Sequence, residues 1–280
     1  MSSSTLQHDT YDKPVALIPV DPSLAIRDRY FAPSLLAPFA EDMARRLARI
    51  SMGPLLETSA DTGIMTQALA SAMSAGLTII ATDPGAEMVA YASAKPGMAR
   101  VTWQQANPAA LPFPDGAFGI VTCHFGVVTL LDRVPAFVEA RRVMKPGGRF
   151  VFSVPALLRH NPVAECLHDI MEDLFPSDPP RFIGHVLHGY GDSQAIDDDL
   201  TGAGFTDAIY TSVDLPFVAA TARDVAMGYC LGTPLRREIE MRAPGGGEGV
   251  IAAAEVALER RFGRGPIEAS MRAHFVSAAG

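Results

Sequence analysis

The chain has 280 residues, 48% of them hydrophobic and 19% charged, with a formal net charge of −8. That length buries a full core, either as one large α/β domain or as one domain with an inserted cap. The acidic balance without a clustered Lys/Arg run argues against a nucleic-acid partner, and no apolar stretch reaches membrane-spanning length.

Met1–Pro14 is polar and patternless and reads as a disordered tail without the apolar core of a signal peptide. The remainder, 15–280, reads as one domain. Pro22–Tyr30 predicts a short helix. After Pro33, apolar residues at Leu36, Phe39/Ala40, Met43, Leu47 and Ile50 predict a second helix over Leu35–Ile50. Strand and helix patterns then alternate. Pro54–Glu57 is the first predicted strand, with a helix over Ile64–Met73. Leu77–Thr82 is the second strand, an unbroken apolar run suited to a sheet buried on both faces. It ends at Asp83–Pro84–Gly85, followed by the helix Ala86–Ala94. Ala99–Trp103 and Phe118–Phe125 are strands three and four. Val134–Met144 is a helix closed by Lys145–Pro146–Gly147–Gly148, and Arg149–Val154 is strand five.

The rhythm then changes. Pro162–Phe175 is strongly amphipathic, a Pro/Asp-rich loop follows, and Ser193–Ala203 is another helix. Phe205–Leu215 predicts a strand. Ala222–Leu231, Pro234–Met241 and Glu248–Phe262 predict helices, and Ile267–Ser277 a final strand. The glycine-rich PGGGEG before the last helix reads as a hinge, since no strand precedes it and no Lys follows. Segments 155–192 and 221–265 are thus expected as cap or lid elements. Cys123, Cys166 and Cys230 lie far apart, which argues for a reduced, cytoplasmic compartment and against a disulfide framework or zinc site. His185 and His188 are three apart, but Gly184 and Gly189 argue for a loop, and no metal is expected. His160, His168, His185, His188 and Tyr190 are read instead as candidates for lining an acceptor pocket.

The stretch Leu55–Gly63, LLETSADTG, has the grammar of a first strand, a cofactor-cradling turn and a first helix. It resembles the first motif of class I S-adenosylmethionine-dependent methyltransferases, in which an acidic residue precedes three spaced glycines. Glu57 and Gly63 match; Ser59 and Asp61 stand where the first two glycines usually do, so the motif is degenerate. LPFPDGAF (Leu111–Phe118), RRVMKPGGRFVFSV (Arg141–Val154) and the opening DRYFAPSLLAPFAEDMARRL resemble the ubiquinone/menaquinone-biosynthesis-like group of that superfamily. The resemblance implies a Rossmann-like α/β fold: a seven-stranded sheet, mostly parallel with an antiparallel last strand, and a helical cap inserted after strand five. It implies S-adenosylmethionine as cofactor and a small-molecule substrate, and the Met/Phe-rich, acidic character of the chain suggests an apolar or aromatic metabolite rather than RNA. It leaves a homodimer open.

Candidate site residues follow. Asp83 ends strand two about twenty residues after the first turn, where a carboxylate accepts ribose hydroxyls or, alternatively, caps a helix. Pro84 lies beside it, and Met88 either covers an adenine face or fills the core. Asn107, flanked by Ala106 and Pro108, either reads the adenine amino group or forms an Asn-Pro turn. Glu57, Thr58, Ser59, Ala60, Asp61 and Gly63 are expected to face the methionine half. Asp61 tolerates a left-handed turn, and its carboxylate either repels the cofactor carboxylate, pairs with the ammonium or points to solvent. Gly119 is another departure, where the family usually has Asp. His124 and Phe125 end strand four; His124 orients the cofactor or acts as a general base, or is structural. Cys123 reads as a small buried hydrophobe. Tyr30, by resemblance, closes over the methyl end, and His124 and Tyr30 are the catalytic candidates. The lost glycines, with Asn107 and Gly119 as further substitutions, keep an alternative open: a protein of this fold repurposed for a cyclisation or rearrangement, or for binding only. The turn lacks the GxGxxG of a nicotinamide-dependent dehydrogenase.

Overall fold

The computed structural model describes residues 24–50 and 52–280. The predicted tail and the first two residues of the Pro22–Tyr30 helix lie outside the described residues. Helical structure begins at α1 (Leu24–Ile26), passes through a π-helical segment (Arg27–Leu36) and continues as α2 (Ala37–Leu47). The sequence predicted two helices broken near Pro33. The structure instead carries the proline inside the π-helical segment. Proline donates no backbone hydrogen bond and its ring crowds the preceding turn, and a wider turn accommodates both.

Seven strands follow: β1 (Leu55–Glu57), β2 (Ile79–Asp83), β3 (Val101–Gln105), β4 (Phe118–His124), β5 (Met144–Pro155), β6 (Ala208–Ala219) and β7 (Ile267–Ala279). They form one sheet in the order β3-β2-β1-β4-β5-β7-β6. The pairs among β1 to β5 are parallel. β7 runs antiparallel to both of its neighbours. This is the mostly parallel sheet with an antiparallel last strand expected from the sequence. β5 starts earlier than predicted: Met144 already pairs with Phe118, and the KPGG stretch is absorbed through a register shift between Phe118 and Ile120.

Alternation along the central strands supplies a core on each face. Leu55 and Ile120 point into one core, shared with α2, α3 (Ile64–Ala72), α6 (Pro162–Leu174), α8 (Ala222–Gly232) and α10 (Gly247–Phe262). Leu56 and Val121 point into the other, shared with α5 (Val134–Val143) and α7 (Ser193–Gly202). All four side chains are fully buried, each stabilising the fold by roughly 1.5–3 kcal/mol.

The helices after β5 and β6 tie to one another and to the N-terminal segment. Arg261 on α10 bonds Glu165 on α6 at 2.6 Å, and Arg223 on α8 bonds Glu255 on α10 at 3.1 Å. Gly228 and Gly232, one turn apart on α8, let the π-helical segment approach. A Cβ at Gly228 would lie 2.9 Å from the Tyr30 backbone, and one at Gly232 would lie 3.0 Å from Arg27 Cα. That close crossing sets the position of Arg27.

Candidate functional site

The strand order reverses between β1 and β4, the place where parallel α/β sheets open a crevice at their carboxyl ends. A cavity of about 490 Å³ lies there, within the usual range of about 300–1,000 Å³ for small-molecule sites.

Its floor is the turn after β1. Ser59 (φ 53°), Asp61 (φ 52°) and Gly63 (φ 84°) all take the left-handed conformation. Two of the three are not glycine, which stores strain of about 1 kcal/mol or more at each. Hydrogen bonds hold them there: Ala60 N donates to Thr82 O at 2.9 Å, Asp61 N to Asp83 Oδ2 at 2.9 Å, and Gly63 N to Ala60 O at 2.9 Å. The turn expected from a glycine motif therefore forms without two of its glycines.

Three carboxylates meet at this floor. Glu57 is 1% exposed and its Oε2 has no hydrogen-bond partner among the described residues. Burial, reinforced by the charge of Asp83, pushes its carboxyl up to about 8. Asp83 accepts from Asp61 N and, at 2.8 Å, from Gly85 N. It thus joins the β1 and β2 turns, while Gly85 occupies the N-cap position of α4 (Ala86–Ser93). Burial raises the Asp83 carboxyl to about 6. Asp61 points its carboxylate at Arg27, Oδ2 to Nη1 at 2.5 Å, while its Oδ1 is buried without a partner. Arg27, itself buried, also donates from Nε to Gly232 O at 2.8 Å.

At the end of β4 the His124 ring is partly reachable from the cavity but both nitrogens are engaged. Nε2 lies 3.0 Å from Leu36 O, an acceptor only, so Nε2 carries the proton. Nδ1 then accepts from the Ser153 hydroxyl at 2.7 Å. Burial lowers the ring to about 4. The imidazole therefore has no free basic nitrogen, and it ties β4 to β5 and to the N-terminal segment. Phe125 beside it is left-handed (φ 55°) and stacks on the His124 ring at 4.3 Å. Cys123 is buried, with its thiol pushed up to about 11 by desolvation.

Of the residues singled out in the sequence, Glu57, Ser59, Ala60, Asp61, Asp83, Pro84, Met88, His124 and Phe125 line the cavity. Thr58, Gly63, Ala106, Asn107, Pro108 and Tyr30 do not. Asn107 Oδ1 accepts from Ala109 N at 3.0 Å, the geometry of an Asn-Pro turn. The Tyr30 ring lies beside the Arg29 guanidinium, 5.1 Å away, and Arg27 and Phe31 of the same segment face the cavity instead. Tyr190 is buried in the second core, where its hydroxyl donates to Asp199 at 2.7 Å. His185 is exposed while His188 is buried with Nδ1 2.8 Å from Ala156 O, so the two do not share one face.

Sequence reasoning missed Arg27, Phe31 and Leu36 from the N-terminal segment and Val128 and Thr129 after β4. It also missed Phe182, Leu187 and Pro234 from the region beyond β5. The last three make the wall apolar, and no local spacing marks them. Phe182–Leu187 is a short π-helical turn where the sequence predicted a loop.

A family described as "Methyltransferase domain" matches residues 56–152. The chain is 35% identical over 112 residues to the ubiquinone/menaquinone biosynthesis C-methyltransferase UbiE of Geotalea uraniireducens, covering 38% of this chain and 48% of that protein. It spans about half the length of the curated relatives it matches. A structure of Haemonchus contortus phosphoethanolamine N-methyltransferase 2 in complex with S-adenosyl-L-methionine superposes with a TM-score of 0.55 at 14% identity, over 91% of this chain and 56% of that one. The [4+2]-cyclase SpnF superposes with a TM-score of 0.53 at 16% identity, over 85% and 78%. At these identities the two structures share the fold alone.

Proposed function

We propose that this chain, whose residues 56–152 match a methyltransferase-domain family, is a class I S-adenosylmethionine-dependent methyltransferase that binds S-adenosylmethionine and methylates a small, apolar or aromatic acceptor. The observation that carries the reading is the pair of buried carboxylates, Glu57 and Asp83, at adjacent strand ends on one cavity. A buried carboxyl with an orphaned oxygen, such as Glu57, suits a ligand that brings positive charge. Asp83 keeps acceptor capacity beyond its two backbone donors and suits vicinal hydroxyls.

The cofactor supplies an electrophilic methyl group, and the protein supplies position and a dry site. Pro84 and Met88 offer an apolar face for a purine. Phe31, Phe125, Val128, Phe182 and Leu187 form the acceptor end and keep water from it. His124 acts by holding the β4 end against Leu36 and Ser153, a positioning role rather than that of a base. The acceptor atom must then be nucleophilic with little help from this histidine.

The alternative of a repurposed fold drew its support from the lost glycines and from Asn107 and Gly119. Because Ser59 and Asp61 hold the left-handed turn, that support weakens and methyl transfer is favoured. Calorimetric titration with S-adenosylmethionine and S-adenosylhomocysteine tests the reading, followed by transfer of a labelled methyl group to a panel of phenols and quinols. Micromolar binding with transfer is expected. Absence of binding to either compound at millimolar concentration sinks the proposal.

A further inference from the structure

The apolar end of the cavity is gathered from turns far apart in sequence. Phe182 and Leu187 bound a short π-helical turn, and Pro234 stands at the start of α9 (Leu235–Arg242). Glu238 on α9 joins the two. Its Oε2 accepts from the Arg181 amide at 2.5 Å and from the Phe182 amide at 3.2 Å. Amides at the start of a helical turn have no acceptor within the turn, so a side chain must supply one. One turn further along α9, Arg242 donates from Nε to Asp178 O at 2.5 Å, and its Nη2 lies 3.0 Å from Asp178 Oδ2. The far end of the π-helical turn has an anchor of its own, His188 Nδ1 at 2.8 Å from Ala156 O. Phe182 therefore takes its place from α9.

We propose that Glu238 is a positioning residue for the acceptor: by holding the Arg181 and Phe182 amides it fixes the Phe182 ring as one wall of a slot for a flat aromatic molecule. Glu238 does not itself line the cavity. The proposal rests on the methyl-transfer reading, which makes this end the acceptor's. Phe31, Phe125 and Phe182 line it, all three buried, and bring no charge. His124 beside them has both ring nitrogens engaged. An acceptor held there gains from contact with the rings rather than from charge. Such contacts fade quickly: a gap of about 0.5–1 Å forfeits roughly a quarter to a half of the attraction. A shift of Phe182 after loss of its amide acceptor is therefore felt by the molecule packed against it.

A single oxygen of Glu238 accepts both amides, so the task needs reach and a lone pair rather than a charge. The neighbouring Arg242 donates from Nη1 to the backbone oxygen of Glu238 at 2.9 Å and forms its ion pair with Asp178. Three substitutions separate these properties. Glutamine keeps the length and an acceptor oxygen without the charge. Aspartate keeps the charge but draws the oxygen back by one methylene. Alanine removes the acceptor.

The test uses the full chain and two probes: S-adenosylhomocysteine by calorimetry, and the uncharged fluorescent aromatic N-phenyl-1-naphthylamine, titrated with and without S-adenosylhomocysteine. Phe182→Ala is expected to weaken N-phenyl-1-naphthylamine on the order of 10-fold through the lost ring contact. Glu238→Ala and Glu238→Asp should weaken it roughly 5- to 10-fold, the lower part of the cost of leaving a buried donor unpartnered. Glu238→Gln should stay within about twofold of the native chain, because the hydrogen bonds survive. S-adenosylhomocysteine affinity should stay within about twofold in every variant, given the distance between the two ends, which also shows each variant folded. Glu238→Asp carries the comparison if the alanine variant does not fold. Native-like probe binding by either of these variants overturns the proposal, as does an equal loss in Glu238→Gln or a parallel loss of S-adenosylhomocysteine affinity. Probe binding that the native chain lacks, or that Phe182→Ala leaves unchanged, overturns it too, and in all these cases the cofactor reading stands. If the native chain does not bind S-adenosylhomocysteine, the cofactor reading falls and takes the acceptor role of this wall with it.

Discussion

Glu57→Gln is expected to stabilise the protein at neutral and alkaline pH. Glu57 is fully enclosed, with one oxygen unpartnered, and its carboxyl is raised from 4.5 to about 8. A carboxyl raised on folding binds more protons in the native state than in the unfolded one. Its favourable contribution is complete below the unfolded pKa and is lost as pH rises toward 8. At pH 8 the unfolded chain is almost fully ionised while the native carboxyl is half protonated, so the native state is penalised by roughly 4 kcal/mol relative to acid conditions. Glutamine does not ionise and escapes that penalty. At pH 5 the two proteins should differ by under about 1 kcal/mol from this source. For a chain of this length about 4 kcal/mol corresponds to a melting shift of roughly 7 °C. Differential scanning calorimetry of both proteins from pH 5 to pH 8 reads it. The decisive quantity is the growth of the gap with pH, because a packing defect or an unsatisfied amide in the variant would be independent of pH. A gap that stays flat, or shrinks toward pH 8, refutes the assignment of Glu57 as a desolvated acid.

Asp83, raised to about 6 by burial, must be ionised to serve as a double acceptor. S-adenosylhomocysteine affinity should therefore fall as pH drops below 6, and Asp83→Asn should bind weakly with no such acid limb; an unchanged limb in the variant contradicts this. The His124 ring, held near 4 with both nitrogens engaged, should stay neutral from pH 5 to 9, so a ring titration midpoint near 6.5 by NMR would contradict the placement. Gly119→Ala should abolish folding to the native state, because a Cβ there would lie 1.4 Å from the Met52 carbonyl oxygen; a variant with unchanged melting temperature would show that the crossing at Met52 is wrong.

The parts of the fold that the sequence made legible are those written in local pattern. Leu55 and Leu56, Ile79 to Ala81, and Ile120 and Val121 are continuous apolar runs, and they are the central strands. Asp83 and Glu57 were placed on the cavity from their positions at the ends of apolar runs, and both line it. The misjudged stretches are those where one residue's preference yields to its surroundings. Pro33 signals a helix break but sits in a π-helical turn that α8 packs against. Pro146 and Gly147 signal a turn ahead of strand five; the strand instead begins at Met144, and 145–148 bulge between the Phe118–Met144 and Ile120–Arg149 pairs. Arg27 had no local signature at all. Its partners are 34 and 205 residues away, and its burial follows from the α8 crossing. Phe182, Leu187 and Pro234 are hidden for the same reason: a cavity wall gathered from distant turns leaves no period in the sequence.

Asp61 shows why a motif departure is better weighed in three dimensions than by residue identity. As a letter, aspartate for glycine adds bulk, a charge and a disfavoured backbone conformation, and each counts against cofactor binding. In the fold these three effects are not independent. The left-handed conformation that a glycine would adopt freely is the one that gives the Asp61 amide to Asp83. The same conformation sends the side chain to Arg27, so the added charge is neutralised by a residue that no turn motif contains. The strain is of order 1 kcal/mol, while a charge-assisted hydrogen bond at a buried arginine is of order 1.5–3 kcal/mol, so the turn can keep its shape. It follows that Asp61→Gly alone is not a restoration of the glycine motif. It would relieve the turn but strand Arg27 as an unpaired buried cation, and the glycine is favourable only together with a neutral residue at position 27.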